Sequence, residues 1–395
     1  MFPEAAQTAR PVGSQRRCSR LGLIVIAALI VSTLLLTLRP AHAVETAARE
    51  MILVDATTGT VLAQKDSDAR MPPSSMSKLM TLYVAFELLR DGKLRMDDSF
   101  RVSEKAWKTG GSKMFVEVNS TVTVGELLRG IIIQSGNDAC VVLAEGISGS
   151  EETFAELLNQ RAAEIGMRGS HFTNSTGWPD PQHYTTARDL AIVAYRIIRD
   201  FPDYYPIFAE KDYTYHEIRQ GNRNPLLYSY AGADGLKTGH TEEAGYGLTA
   251  SAAREGRRLI LVTNGMASVN ERARETERLL DYGFNNFKNY SLFKAGETVY
   301  ELPVFFGAKA TVPAVPASDI VVTLPRSAGR NMSMRVVAPG PAPAPVAKDA
   351  PIAKLLISAE DFGPIELGLV AGESVDKASG FGRIGPVIKH LFSGG

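Results

Sequence analysis

An uncharged apolar run from Leu21 to Leu38 governs where the rest of this chain must fold. Arg16, Arg17 and Arg20 precede it, and Ala41-His42-Ala43 follows Arg39 and Pro40. A basic lead, an apolar stretch and a small-x-small site together read as a secretory signal peptide, with cleavage expected after Ala43. The run also approaches the length needed to span a bilayer, so a retained anchor is the alternative. On either reading the residues beyond it are exported. Of the two cysteines, Cys18 lies ahead of the run and Cys140 sits alone in an apolar stretch. No intrachain disulfide is then left to form, and the fold must stand on its hydrophobic core. Nothing near Cys140 would stabilise a thiolate, so it reads as a small buried hydrophobe rather than a nucleophile.

A length of 395 residues exceeds what one core usually holds, which makes two domains the expectation. Lys+Arg and Asp+Glu both total 43, a formal net charge of zero. That balance argues against nucleic acid as a partner, because neutralising phosphates needs a basic excess.

Beyond the leader, residues Glu50 to Gln64 read as a hairpin turning at Ala56-Thr57-Thr58-Gly59. Met71-Pro72-Pro73-Ser74 breaks the chain ahead of an apolar-periodic helix from Ser75 to Leu89. Thr123 and Glu126 are spaced as a capping box for a second helix to Gln134. Further helices are expected from Ser150 to Ile165 and from Thr186 to Arg199, and another over Thr276 to Phe284. Between Leu248 and Ala267 the pattern is that of strands. Early strands, a helical middle and late strands predict an α/β (α+β) layered domain: an antiparallel sheet flanked by helices, over 44–285.

After Tyr290 the texture changes to short apolar segments separated by glycine and proline, with four prolines between Ala338 and Ala347. Residues 292–375 are therefore expected to form a small β-rich second domain. In the tail, 381–395, Ile384, Val387, Ile388, Leu391 and Phe392 fall on one helical stripe with Arg383, Lys389 and His390 off it. That stripe suits an interfacial membrane helix or a terminal helix docked on the protein.

Three short signals carry chemistry: Ser75-Met76-Ser77-Lys78, Ser135-Gly136-Asn137 and Lys237-Thr238-Gly239. Each is common by chance; their order and local setting together are specific. A serine hydroxyl is a poor nucleophile until a base takes its proton. With Ser75 at a helix start, Lys78 lies one turn on and on the same face, where burial can make it that base. Ser135-Gly136-Asn137 falls in a loop between helical stretches, where Ser135 can relay a proton to a leaving amine and Asn137 can bind substrate amides. Lys237-Thr238-Gly239 reads as a strand edge where glycine lets an extended peptide approach, with Lys237 supplying charge to a substrate carboxylate or to Ser135. His171, His183, His216, His240 and His390 show no ligand spacing, so neither a metal nor a cofactor is expected.

With these signals in place, the chain resembles the low-molecular-mass penicillin-binding proteins that act as D-Ala-D-Ala carboxypeptidases. Gly111-Ser112-Lys113-Met114-Phe115, His171-Phe172, Ala187-Arg188-Asp189-Leu190, Asn222-Arg223-Asn224 and the stretch from Asp234 to Gly245 extend the resemblance. So do Phe293-Lys294-Ala295-Gly296 and Pro303 to Gly307 in the β-rich part, so that it covers nearly everything after the leader. The resemblance implies a β-lactamase/transpeptidase-like fold with a small C-terminal all-β domain. It implies a serine-type peptidase that removes the terminal D-alanine from peptidoglycan stem peptides through an acyl-enzyme. Ser75 would be acylated, Lys78 would be the base, and Ser135 and Lys237 would complete the proton network. The backbone N–H groups of Ser75 and His240 would form the oxyanion hole, and Arg223 and Thr238 would hold the terminal carboxylate beside Gly239. β-Lactam antibiotics would acylate the same serine as covalent inhibitors. A periplasmic location, peripheral on the inner membrane through the C-terminal tail, is implied as well.

Three other functions share these signals. A β-lactamase needs a glutamate to activate deacylating water; the candidate, Glu156, sits in an apparently regular helix and reads as a solvated face. A DD-endopeptidase would use the same acyl-enzyme chemistry on cross-links. A non-catalytic wall-binding homologue would keep the fold without needing Ser75, Lys78, Ser135 and Lys237 intact.

Overall fold

A computed structural model describes residues 44–359 and 362–379. The leader and the tail stripe lie outside the described residues. Strands β1 (Glu50–Asp55) and β2 (Val61–Lys65) form the expected hairpin and join β3 (Ala233–Thr241), β4 (Gly245–Arg254) and β5 (Arg257–Met266). All pairs are antiparallel, and the order across the five-stranded sheet is β2-β1-β5-β4-β3.

Alternation along each strand sends successive side chains to opposite faces, and here both faces are covered. Ile52, Ile260 and Val262 pack into the large helical core on one side. Met51, Leu53, Leu259 and Leu261 pack against Leu279, Leu280 and Phe284 on the other. This double burial explains why Leu259 to Val262 is a continuous apolar run rather than an alternating one.

The helical side contains α1 (Lys78–Arg90), α2 (Val124–Ile133), α3 (Asn137–Ser148), α4 (Glu151–Ile165) and α5 (Ala187–Asp200). Helix α1 is buried nearly all round, from Leu79 to Phe86, which places it at the centre of the layer. The predicted caps are present. Thr123 and Glu126 satisfy each other's backbone N–H groups, and the Ser150 and Thr186 side chains accept from Thr153 and Asp189 N–H. Helix α4 closes on Gly166 at φ 93°, a left-handed conformation glycine adopts without a Cβ penalty.

On the opposite face lies α6 (Val269–Asn286), which starts earlier than the expected Thr276. Its first turns, Asn270-Glu271-Arg272-Ala273-Arg274, carry no apolar period, so the pattern misses them. The Ser268 hydroxyl accepts from Glu271 N–H at 3.1 Å and starts the helix there.

The C-terminal all-β domain begins at β6 (Phe287–Phe293), directly after α6. It continues through β7 (Tyr300–Phe305), β8 (Thr311–Val315), β9 (Ile320–Pro325), β10 (Ser333–Val337), β11 (Ala342–Pro343), β12 (Pro351–Ala359) and β13 (Phe362–Ala371). Strands β6 and β9 pair together; the others form a six-stranded sheet in the order β10-β12-β13-β8-β7-β11. The proline-rich stretch from Ala338 therefore holds the short strand β11 within its turns.

Arg257 fastens the sheet to this second part. Its Nε donates to Asp55 Oδ2 at 2.6 Å, and its NH1 donates to Gly283 O at 3.0 Å and Phe287 O at 2.8 Å. Asp55, 0% exposed, also accepts from Thr57 N–H at 2.9 Å, and the Thr58 hydroxyl meets Thr323 Oγ1 at 2.5 Å on β9. Breaking one side of a buried ion pair strands the other charge. Asp55→Ala is expected to cost about 3 kcal/mol of stability, read by urea unfolding; a loss under about 1 kcal/mol would show that this joint holds little.

Candidate active site

Met71 and Pro72 each precede a proline, which biases them to extended backbone, and Pro73 at φ −73° and ψ −19° enters the turn Ser74–Ser77, from which α1 continues. Ser74, just ahead of Ser75, is held at φ 50°, a left-handed conformation that is uncommon for a residue with a Cβ. Lys78 follows as the first residue of α1, 0% exposed. Its Nζ lies 2.9 Å from Ser75 Oγ, 2.7 Å from Asn137 Oδ1 and 2.6 Å from Thr176 O.

Two of those partners, an amide oxygen and a backbone carbonyl, only accept, so they take two N–H bonds whatever the charge on Lys78. The third position faces the Ser75 hydroxyl. A charged ammonium donates a third proton there, whereas a neutral amine presents its lone pair. Burial, reinforced by the Arg223 charge, lowers the Lys78 pKa to about 8, which brings the neutral form within reach near neutral pH.

Ser135 sits in the tight turn between α2 and α3 at φ 62°, a strained conformation of the kind that concentrates at functional sites. Its hydroxyl is buried and has no hydrogen-bond partner among the described residues. Asn137 is the first residue of α3 rather than a loop residue. Its Nδ2 donates to Gly110 O at 2.9 Å while its Oδ1 holds Lys78. Asp138 beside it accepts from Met114 and Phe115 N–H, both at 2.8 Å, which pins the Gly111-to-Phe115 loop against the helix start.

The Lys237-Thr238-Gly239 signal lies on β3, the edge strand of the sheet, as expected. A Cβ on Gly239 would stand 3.0 Å from Pro73 O and 3.1 Å from Ser74 Cβ. Glycine is needed there because the Ser74–Ser77 turn packs directly on the strand. Lys237 is 2% exposed, and among the described residues its one hydrogen bond runs to Thr238 O at 3.2 Å. Burial, together with the nearby Lys78 and Arg223 charges, lowers its pKa well below the ordinary lysine value. His240 is exposed and stacks on Tyr246 with ring centroids 3.9 Å apart.

Ser75, Ser135, Arg223, Thr238, Gly239 and His240 line one cleft of about 410 Å³, with Lys78, Asn137 and Lys237 buried beneath it. Arg223 NH1 donates to Ser112 Oγ at 2.5 Å at the rim. The sequence reading missed Arg272, which reaches the same cleft from the first turns of α6. It is 6% exposed, burial lowers its pKa to about 10, and its Nε has no partner among the described residues. Its only sequence signal was the Ser268/Glu271 cap that starts α6 early.

Cys140 is fully buried, and burial pushes its thiol up to about 12, which leaves it unreactive. Glu156 is exposed on α4, the solvated face expected of it. Among the described residues no cluster of His, Cys, Asp and Glu could hold a metal ion.

Residues 37–268 match the D-alanyl-D-alanine carboxypeptidase family, and residues 287–377 match the C-terminal domain of penicillin-binding protein 5. The chain is 36% identical over 356 residues to the D-alanyl-D-alanine carboxypeptidase DacA of Haemophilus influenzae, spanning 88% of this chain and 91% of that protein. It superposes on penicillin binding protein 5 from Haemophilus influenzae with a TM-score of 0.79 at 36% identity, over 86% of this chain and 100% of that one. Penicillin-binding protein D2 of Listeria monocytogenes, solved in its ampicillin-bound form, aligns with a TM-score of 0.57 at 26% identity, over 62% of this chain and 99% of that one. Matched along both its parts, the chain belongs to the serine-type D-alanyl-D-alanine carboxypeptidases, a family of penicillin-binding proteins.

Proposed function

We propose that this protein releases the terminal D-alanine from peptidoglycan stem peptides, with Ser75 as nucleophile and Lys78 as its base. The observation that carries this reading is the three-partner setting of Lys78, which leaves one Nζ position for the Ser75 proton. Ser75 Oγ attacks the carbonyl carbon of the penultimate D-alanine while its proton passes to Lys78. Backbone N–H groups of Ser75 and His240 stabilise the oxyanion. The C–N bond breaks, and the departing amine takes a proton through Ser135, whose hydroxyl has no hydrogen-bond partner among the described residues. Lys237 completes that proton network from below. Water then hydrolyses the ester and restores the serine.

Arg223 and Thr238 bind the terminal carboxylate beside Gly239, and the cleft geometry adds Arg272 to them. Asn137 links the Lys78 amine to the substrate amides. β-Lactams acylate Ser75 in the same pose, in keeping with the ampicillin-bound relative from Listeria monocytogenes. The exposure of Glu156, far from the role of a water-activating base, speaks for slow deacylation and against a β-lactamase.

The proposal extends to the chain as a whole: a leader over 1–43, the peptidase over 44–285, a β-rich domain over 292–375 and a membrane-associating tail over 381–395. Export to the periplasm, with the tail on the inner-membrane surface, rests on the leader and on the apolar stripe of that tail. Among the described residues no helix is long and apolar enough to cross a membrane.

Ser75→Ala is expected to abolish both D-alanine release from a pentapeptide stem and covalent labelling by a fluorescent penicillin. Normal labelling of that variant would remove Ser75 from the role. Because Lys78 acts as a base only when neutral, acylation should rise with pH, about tenfold per unit below its pKa, and level off above about 8. Stopped-flow acylation between pH 6 and 9 reads this directly, and a flat profile would exclude Lys78 as the base.

A further inference from the structure

The loop 173–178 supplies one of the partners of the Lys78 amine, the Thr176 carbonyl, which accepts from Nζ at 2.6 Å. The loop shapes itself through Asn174, whose Oδ1 accepts from Gly177 N–H at 2.8 Å and Trp178 N–H at 3.0 Å. Two ties then fasten it to the helices. Ser175 O accepts from Thr81 Oγ1 on α1 at 2.7 Å, and the Ser175 hydroxyl donates to Glu151 Oε1 on α4 at 2.7 Å. Neither tie reaches Ser74–Ser77, the turn that carries Ser75.

A third tie does. His183 Nε2 lies 2.8 Å from Ser77 Oγ, and His183 Nδ1 lies 3.1 Å from the backbone nitrogen of Thr173. A backbone N–H can only donate, so Nδ1 presents its lone pair to Thr173 and the ring proton sits on Nε2, which donates to Ser77 Oγ. One neutral imidazole thus spans the turn and the start of the loop. Burial lowers its pKa to about 4, which keeps the ring neutral near neutral pH. His183 is 4% exposed and Ser77 1%, so water competes little for either bond. The Phe172 ring meets the imidazole edge-on with centroids 5.6 Å apart, which holds the plane of the ring.

Contact at the far end of the loop makes the position of this bridge matter. Gly177 has φ 80°, and any Cβ there would fall on the Ser74 carbonyl, so loop and turn are already at closest approach. A loop that swings away from the turn carries Thr176 O with it, one residue before Gly177. Lys78 Nζ then loses the acceptor that helps aim its remaining position at Ser75 Oγ, 2.9 Å away. His183 does not line the cleft of Arg223, Thr238 and Arg272, so it stands apart from the groups that take the terminal carboxylate.

Resting on the reading of Ser75 as nucleophile and Lys78 as its base, we propose that His183 is a positioning residue for acylation: by bridging Ser77 and Thr173 it holds the Thr176 carbonyl on the Lys78 amine and keeps that amine aimed at Ser75. The imidazole moves no proton and touches no substrate. Its effect falls on the rate at which a bound substrate acylates Ser75 and leaves the binding of the carboxylate as it is.

The test is single-turnover acylation by a fluorescent penicillin over a range of concentrations, with rates expressed per labelled site so that misfolded protein does not count. His183→Phe keeps a ring but neither bond. Its limiting rate should fall by about tenfold, within the roughly hundredfold that a misplacement of about 1 Å can cost, with the half-saturating concentration unchanged. Ser77→Ala cuts the same bridge from the other side, so the double variant should fall no further than His183→Phe alone. His183→Gln, whose amide can still donate to Ser77 Oγ, should recover part of the rate. An unchanged limiting rate in both single variants overturns the inference, as does a rise in half-saturating concentration alone, or a double variant whose loss is the product of the two single losses. Should His183→Phe label no sites, Ser77→Ala and His183→Gln decide by the same readout. Failure of the Ser75 reading looks different, because Ser75→Ala would then still be labelled.

Discussion

The Lys78 amine is the point on which the site depends. A buried ammonium is costly unless its protons find acceptors, and here the acceptors come from three separate parts of the chain: Ser75 on its own turn, Asn137 at the start of α3, and the Thr176 carbonyl. Holding those three together fixes the Ser74–Ser77 turn, the start of α3 after the Ser135 turn, and the 173–178 loop relative to one another. The same burial that makes the lysine expensive lowers its pKa to about 8, which gives it a basic form. One constraint thus supplies both the shape of the cleft and its reactivity.

The sheet provides the rigid side of that cleft. Because both faces of β1 and β5 are buried, the sheet cannot slip register without driving apolar side chains out of one core or the other. Its edge strand β3 is left at the border of the cleft, where Gly239 lets the Ser74–Ser77 turn approach. Lys78 and Lys237 are both buried beneath the cleft that Ser135 lines, and repulsion from Lys78 adds to burial in lowering the pKa of Lys237. Such a concentration of desolvated positive charge suits a pocket whose substrate brings a carboxylate.

Much of the fold was legible along the chain because its signals are local. The capping box at Thr123 and Glu126, the Gly166 terminus and the apolar periods of α1 and α5 each lie within a few turns of sequence. Helix α6 was only half visible, since its first turns are rich in charged residues and carry no apolar stripe. Arg272 was lost with them. The short hairpins Ser99–Arg101 with Thr121–Thr123 and Asp212–Tyr215 with Ile218–Gly221 also went unseen; at three or four residues per strand they are too brief for a period to show.

By itself the sequence determined which residue types stand together in Ser75-x-x-Lys78, that lysine lies one helical turn from serine, and in what order the three signals follow. A helical turn is a local object, so its geometry can be read from spacing. Only the tertiary structure decided that Thr176 O is a partner of Lys78, that Asn137 opens a helix rather than lying in a loop, and that Arg272 enters the cleft. These contacts join segments tens to hundreds of residues apart, and their meeting is set by how helices pack on the sheet, which no local pattern encodes.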